Sequence, residues 1–250
     1  MKIILSLIFL FSTILIFPAS NVGILENSHF NSGEKLSFWV GFTSMLTGKI
    51  SAGDAQIEIS TKLNTVKNQK VYQVIGKGST NGFVEMFYVI KYNYESFIDF
   101  DDFQPMKLTV NKFENDKKKE DVVYFNQNDH FAKSKNKRTQ IPTNVQDMLS
   151  AFYYIRMQDF SSLKKGDCLQ VPVFLDDTVI NSKIVFDGRE SIETKKGKFK
   201  CVIFKPMMMK GNIFKQAFPA TVWLTDDENR YPVLFELKLS VGKMRVELKD

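Results

Sequence analysis

Residues 55–60 read Ala-Gln-Ile-Glu-Ile-Ser, an uninterrupted alternation of apolar and polar side chains. Because successive side chains of a β-strand point to opposite faces, this period predicts a strand with one buried and one solvated face. On the N-terminal side, residues 36–42 repeat the period, with an apolar side chain at every second position. On the C-terminal side, the β-rich residues 71–75 end at Gly76-Lys77-Gly78. Together these stretches predict a meander of antiparallel strands.

The rest of the chain continues in short aromatic or β-branched runs separated by Gly, Asn, Asp or Lys clusters, as antiparallel strands do. Further strands are predicted at residues 83–90, 94–100, 106–113, 122–125, 130–132, 169–175, 178–187, 199–205, 221–225, 233–241 and 244–248. A loop rich in Lys and Gly is predicted within residues 185–201. The fold class that follows is mostly β, a curved antiparallel sheet or half-barrel, with two similar halves as an alternative organisation.

One segment departs from the period of two. Its apolar side chains recur at helical spacing and share one face: Val145, Met148, Leu149, Phe152 and Ile155. Thr143 or Asn144, just ahead of them, is a suitable N-cap. The sequence therefore predicts one main amphipathic helix, around residues 145–158, whose apolar face packs on the sheet.

The first twenty residues have the composition of an export signal. Lys2 supplies a positive charge, residues 3–17 form an apolar run broken by three hydroxyl side chains, and Pro18-Ala19-Ser20 supplies a breaker and small residues. The apolar run is shorter than the roughly 20 residues that span a bilayer. This order predicts a signal peptide over residues 1–20 and a periplasmic or secreted protein; an uncleaved N-terminal anchor is the alternative.

After the predicted signal peptide, residues 21–32 are expected to be a flexible N-terminal segment and residues 33–250 a single β-rich domain. The alternative is two halves, 33–141 and 159–250, joined by the helix. It is suggested by a strand, an aspartate pair, a Pro and a second strand that occur in both halves. No later segment is long and apolar enough to cross a bilayer, so we expect no transmembrane span in the mature chain.

The chain has a formal net charge of +6, with lysine clusters at residues 117–119, 133–138 and 195–200. Lysines at hairpin tips and sheet edges oppose aggregation; the alternative is contact with anionic lipid head groups or other envelope polyanions. An exported location argues against a nucleic-acid partner. It also permits a disulfide between Cys168 and Cys201, the alternative being two buried free thiols.

Signatures of catalysis and cofactor binding do not occur in the sequence. There is no G-x-S-x-G, G-x-x-x-x-G-K-[ST], H-E-x-x-H or G-x-G-x-x-G. Only two histidines, His29 and His130, are present, and the three aspartate pairs have no calcium-loop spacing and suit turns instead. We therefore predict that the protein is not an enzyme and has no catalytic residue, no metal site and no cofactor.

Aromatic and Met side chains point instead to an apolar ligand, with ordinary core packing as the alternative. A curved sheet covered by the helix would enclose a cavity suited to an acyl chain or another hydrophobic ligand. The predicted lining, chosen from residue type and position, is Phe87, Met148, Phe152, Tyr153, Met208 and Trp223.

Four stretches, spread over nearly the whole mature chain, share a family pattern. They are Gly33-Glu34-Lys35-Leu36 with Gly53-Asp54-Ala55; Ile141-Pro142 through Asn144-Val145-Gln146-Asp147 to Ala151-Phe152-Tyr153-Tyr154; Gly197-Lys198-Phe199-Lys200-Cys201 with Phe204-Lys205-Pro206; and Val222-Trp223-Leu224-Thr225-Asp226-Asp227 with Pro232-Val233. In order and approximate spacing they resemble the domain-of-unknown-function 3108 family of exported bacterial proteins. The resemblance implies a secreted or periplasmic protein and carries over no catalytic residue.

The closing strand, aspartate pair, Pro and strand is also similar to the end of the lipoprotein carriers LolA and LolB, whose open half-barrel is covered by helices. This resemblance concerns the fold alone, and the chain has more predicted strands and fewer helices than those carriers. Three functions stay open. We favour binding of a hydrophobic or lipid-like ligand; the others are an interaction role with an envelope protein or glycan, and hydrolysis of an envelope polymer.

Overall fold

The computed structural model describes residues 31–46, 48–207, 218–240 and 242–249. The predicted signal peptide and Met208 therefore lie outside the described residues. The described elements, in chain order, are β1 (Lys35–Ser44), β2 (Gly48–Ile59), β3 (Asn64–Val66), β4 (Gln69–Thr80), α1 (Gly82–Glu85), β5 (Ile90–Asp99), β6 (Pro105–Glu114), β7 (Lys117–Asn126), β8 (Phe131–Lys133), β9 (Arg138–Gln140), α2 (Met148–Arg156), β10 (Cys168–Leu175), β11 (Thr178–Thr194), β12 (Gly197–Pro206), β13 (Ala220–Thr225), β14 (Pro232–Lys238) and β15 (Lys243–Leu248).

The strands form one antiparallel sheet in the order β10-β11-β12-β13-β14-β15-β1-β2-β4-β5-β6-β7-β8-β9, with β3 paired to β4. Neighbouring strands follow one another along the chain except at two places: β15 pairs with β1, and β2 pairs with β4 because β3 lies off this path. The sheet does not close, because β9 and β10 are its two edges. The prediction of a mostly β protein built on a curved antiparallel sheet or half-barrel is confirmed.

Helix α2 lies against the inner side of this sheet and contacts β4, β5 and β10. The chain reaches it from the β9 edge. Residue Gln146, just before the helix, forms a parallel bridge with Val173 of β10. Leu149 and Tyr153 of α2 belong to the main buried cluster, together with Val74 of β4 and other side chains from the inner faces of β2 to β7.

The main helix is confirmed, but it begins later than its apolar pattern indicates. Its N-cap is Asp147, not Thr143 or Asn144. One carboxylate oxygen of Asp147 accepts the backbone N–H groups of Leu149 (2.8 Å) and Ser150 (2.9 Å), and the Ser150 hydroxyl accepts the Asp147 N–H (2.8 Å). These bonds satisfy donors that an uncapped first turn would leave unpaired.

The predicted strand at residues 83–90 is wrong in its first part. Residues Gly82–Glu85 form α1, and β5 begins only at Ile90. Val84 packs against the core and Tyr88 is buried, and their spacing of four residues is that of a helix. Aromatic content alone therefore suggested a strand where the burial follows a helical period.

The predicted loop within residues 185–201 is also wrong. Strand β11 continues to Thr194 and β12 begins at Gly197, so the connection has only two residues. The Lys and Gly residues there belong mostly to two paired strands that extend into solvent.

Both cysteines are free thiols. Cys168 is on β10 and Cys201 on β12, with β11 between them, so they cannot form a disulfide in this fold.

Candidate functional site

A cavity of about 300 Å³ lies between α2 and the inner face of strands β10 to β14. Its walls are almost entirely apolar. From the helix side they comprise Met148, Leu149, Ala151, Phe152, Ile155 and Arg156; from the sheet they comprise Ile57, Val171, Val173, Ser182, Ile184, Phe204, Pro206, Val222, Leu224 and Pro232.

Strand alternation explains which sheet residues reach the cavity. In β13, Val222 and Leu224 line it, whereas Thr221 and Trp223 lie at the intervening positions and do not. Val222 pairs with Phe204 of β12, so two inward side chains stand side by side. The result is a continuous apolar wall across neighbouring strands.

Helix α2 supplies the opposite wall. Met148, Phe152 and Ile155 are half-buried and face the cavity at helical spacing. The helix can approach β4 because Gly76 has no side chain. A Cβ atom there would lie 2.6 Å from Cδ2 of Leu149, too close for any real contact. Gly76 therefore lets the Leu149 side chain of α2 rest directly against β4.

Arg156 is the charged residue among the described residues that line the cavity, and it already forms an ion pair with Glu34. Its guanidinium donates to both carboxylate oxygens of Glu34, at 2.6 and 2.8 Å, and to the backbone carbonyl of Asn229 at 2.7 Å. Both side chains are buried, with 1% of Arg156 and 6% of Glu34 exposed. The cation also lies near the rings of Phe152 and Tyr231. This pairing neutralises the Arg156 charge at the cavity wall.

A second arginine holds the end of the helix beside this ion pair. Nη1 of Arg230 donates to the backbone carbonyls of Arg156 (2.6 Å) and Gln158, which are acceptors that a helix C-terminus leaves free. Its guanidinium also lies 4.3 Å from the ring centroid of Phe160. The turn that carries Arg230 is fixed by Asp227, whose carboxylate accepts two backbone N–H groups of the same turn. Arg230 and Asp227 therefore tie the C-terminal end of α2 to the β13–β14 turn.

A smaller pocket of about 30 Å³ lies on the other side of Met148, which contributes to both linings. Its polar wall includes Tyr94, Lys112, Lys119 and Asp176. Burial alone would raise the pKa of Asp176. The hydrogen bond from Lys119 (3.0 Å) and the charge of Lys112 outweigh that effect and hold the pKa below its ordinary value. Beyond Met148 the lining thus combines apolar side chains, such as Val110 and Phe174, with charged ones.

The structure brings two of the six predicted lining residues together, Met148 and Phe152. Tyr153 is fully buried in the main cluster, on another side of the helix. Trp223 points to the opposite face of β13, where its indole N–H donates to Glu190 at 2.6 Å. Phe87 is 56% exposed beyond α1, away from the cavity lining. Met208 lies outside the described residues.

Residue type is a poor guide to which side chains line the cavity, whereas the alternation of residues along each strand is informative. Trp223 is predicted from its residue type and position, whereas Val222 and Leu224 on either side of it have the period of the inward face. Glu34 and Arg156 were not singled out, because a pair separated by 122 positions leaves no local signal.

Within residues 31–46, 48–207, 218–240 and 242–249, no three His, Cys, Asp or Glu side chains are arranged to hold a metal ion. Among the helices described, none has the length and apolarity needed to cross a membrane.

Comparison with known proteins agrees with this architecture. The model of a family described as "Protein of unknown function (DUF3108)" matches residues 39–249. A solved structure described as a beta-barrel-like protein of domain of unknown function DUF1849, from Brucella abortus, is similar with a TM-score of 0.57. The match has 11% sequence identity and covers 91% of this chain and 98% of that chain, so it concerns the fold alone. No protein with a curated description matches.

Proposed function

The chain belongs to the DUF3108 family, and we propose that it is a non-enzymatic envelope protein that holds the apolar part of a lipid-like ligand in the cavity beside α2. The single observation that carries the proposal is the composition of the cavity wall. Sixteen described residues line it, and all but Ser182 and Arg156 are apolar.

Size and polarity both suit an apolar chain. Ligand pockets have volumes of about 300–1,000 Å³ and are mostly apolar with a few polar groups. The 300 Å³ here is at the lower end of that range. It suits one acyl chain or a similarly slender group better than a bulky ligand. Because Glu34 already neutralises Arg156, the wall presents no uncompensated charge to a ligand.

The adaptable side chains in the wall support the same ligand class. Met148 is unbranched and only partly buried, and it separates the apolar cavity from the small polar pocket. A thioether side chain changes rotamer at little cost and so accommodates chains of different length. The polar head of an amphiphile would then be directed to the Met148 side, where Lys112 and Lys119 line the neighbouring pocket.

The envelope location in this proposal is supported by the first twenty residues, with their lysine, apolar run and small residues. The absence of catalytic motifs supports a binding role over hydrolysis of an envelope polymer. The interaction role with a protein or glycan and the analogy with LolA and LolB stay predictions.

The test is a matched pair of substitutions in β13. Val222→Trp places an indole into the cavity, whereas Thr221→Trp adds the same side chain on the opposite face. We expect the purified wild type to bind a fluorescent fatty acid saturably. Val222→Trp should weaken that binding by about tenfold or more, because overfilling a packed site costs on the order of 1–3 kcal/mol. Thr221→Trp should bind as the wild type does.

Circular dichroism and thermal unfolding of both variants show whether each is folded. Absence of saturable binding by the wild type would contradict the proposal, and so would equal affinity of two folded tryptophan variants.

A further inference from the structure

Antiparallel pairing places alternate strand ends at the same side of the sheet. The end of β1, the start of β2, the end of β4 and the start of β5 lie together, as do the end of β6 and the starts of β7, β13 and β15. We call this side the apical rim. It includes the hairpin residues Met45 and Leu46, the α1 segment at residues 81–89, and Phe218 at the entry to β13.

Large apolar side chains are concentrated on the apical rim. Nine such side chains are exposed in the described part of the chain, and seven of them lie there. The seven are Met45, Leu46, Phe83, Met86, Phe87, Phe113 and Phe218; the other two are Leu63 and Tyr124. Single exposed apolar side chains scattered over a protein surface are normal. A group of them at one end of the molecule, in contrast, marks an interaction surface.

The geometry of the rim is that of separate projecting tips. Met45 is 104% exposed and Leu46 is 91% exposed, so the β1–β2 tip touches almost nothing else in the protein. In α1, Val84 packs into the core, while Phe83 and Phe87 stack edge to face outside it at 4.8 Å. Isolated apolar tips of this kind fit a fluid apolar medium better than the complementary surface of a folded protein.

Lysines accompany the apolar tips. The exposed Phe113 has Lys91 and Lys118 as its cross-strand partners on β5 and β7. Other exposed lysines at the apical strand ends are Lys49, Lys117, Lys238 and Lys243. Exposed acidic side chains there are fewer, and Asp176 and Glu120 already face lysines. Apolar side chains flanked by lysines match the chemistry of an anionic bilayer surface, with its acyl region below a negative head-group layer.

We infer that the apical rim docks on anionic lipid bilayers, with the Met45–Leu46 tip and the α1 aromatics inserted at the level of the head groups. The lysines supply a long-range attraction that weakens with salt, and the apolar tips supply the insertion. None of these rim residues lines the cavity. The inference is therefore independent of the ligand proposed for the cavity.

The experiment is flotation of the full-length protein with vesicles, using matched serine variants. The rim variant carries Leu46→Ser and Phe87→Ser. The control variant carries Leu63→Ser and Tyr124→Ser, which remove a leucine and an aromatic ring at exposed positions off the rim. All forms keep residues 3–17, so a difference between variants reports the rim. Vesicles contain phosphatidylcholine alone or with about one third phosphatidylglycerol.

We expect binding to anionic vesicles to exceed binding to neutral ones, and to weaken when NaCl rises from about 0.1 M to about 0.5 M. The rim variant should lose about tenfold in vesicle affinity, since both removed side chains would be buried in lipid, while the control variant stays within about twofold of the wild type. A Lys91→Gln and Lys117→Gln variant should bind anionic and neutral vesicles more nearly alike.

Equal vesicle binding by the rim and control variants would overturn the inference, as would no preference for anionic vesicles. Sedimentation of the wild type and the rim variant gives a further check. A wild-type dimer that the rim substitutions convert to a monomer would show that a second copy covers the rim, which also overturns bilayer docking.

Discussion

At the scale of single residues, the Glu34–Arg156 ion pair does most to fix the site. It joins the residue preceding β1 to the last residue of α2, and the bond to Asn229 adds the β13–β14 turn. A buried ion pair contributes little net stability relative to apolar residues, because both ions lose their hydration. Its effect here is on position, since a bidentate pair tolerates few alternative arrangements of the three segments.

Replacing Glu34 by Ala removes both carboxylate acceptors of the buried Arg156 guanidinium, while the carbonyl of Asn229 remains. We expect the free energy of unfolding to fall by about 3–5 kcal/mol, the usual cost of removing one partner of a buried pair. Urea unfolding followed by circular dichroism measures this change.

The double variant Glu34→Leu with Arg156→Met is the control. It removes both charges together, so it should lose much less stability than Glu34→Ala alone. If Glu34→Ala loses no more free energy of unfolding than the double variant does, the ion pair does not fix the positions of the three segments.

At the scale of elements, α2 depends on a carboxyl cap that is completely buried. Burial raises the pKa of Asp147 above its ordinary value, although hydrogen bonds from the Ser96 hydroxyl (2.5 Å) and from the first turn of the helix favour its charged form. The folded protein therefore holds this proton more tightly than the unfolded chain does. The corresponding stabilisation is fully present below the unfolded-state pKa and is lost as the pH rises through the folded-state pKa.

Asp147→Asn tests this element. An Asn side chain can still accept the two backbone N–H groups and can donate to Ser96, but it cannot ionise. We expect the stability of the wild type to decline relative to Asp147→Asn as the pH rises above about 3.8. Asp147→Ala, which removes the cap, should be about 0.5–2 kcal/mol less stable than the Asn variant. Urea titrations at a series of pH values decide this. Parallel pH profiles of wild type and Asn variant would contradict it.

The two helices show how much of the secondary structure local sequence patterns can predict. The apolar period of residues 145–158 predicts α2, because a five-residue stripe on one face is hard to produce otherwise. The start of the helix could not be read from it, since Val145 and Gln146 have their own partners in the main cluster and on β10. α1 was missed because its four residues are too few for a helical period to stand out among aromatic side chains.

At the scale of the whole molecule, the order of the strands follows the chain almost everywhere, which is why hairpin patterns predicted the fold class. The pairing of β15 with β1 could not be predicted in the same way. Its register, with Val40 opposite Val246, joins residues from the two ends of the chain. Alternation tells which side chains share a face but not which distant strand lies alongside.

The candidate site could likewise be predicted only in part from the sequence. The helix contribution of Met148 and Phe152 was visible in the sequence, whereas the wall formed by β10 to β14 depends on the assembled sheet. The apical rim likewise gathers residues from the β1–β2 turn, the segment at residues 81–89, β6 and the entry to β13. In this protein the cavity and the apolar end are properties of the assembled sheet, and each local segment supplies only part of them.

The central claim, that the cavity beside α2 holds an apolar chain, is tested most directly by native mass spectrometry of the protein purified from the cells in which it naturally occurs, with lipid extraction of the same sample. The account predicts a reproducible acyl-bearing adduct on the wild type and on Thr221→Trp, and its loss from folded Val222→Trp. A mass without adduct in every preparation, or an adduct that Val222→Trp leaves unchanged, would contradict it.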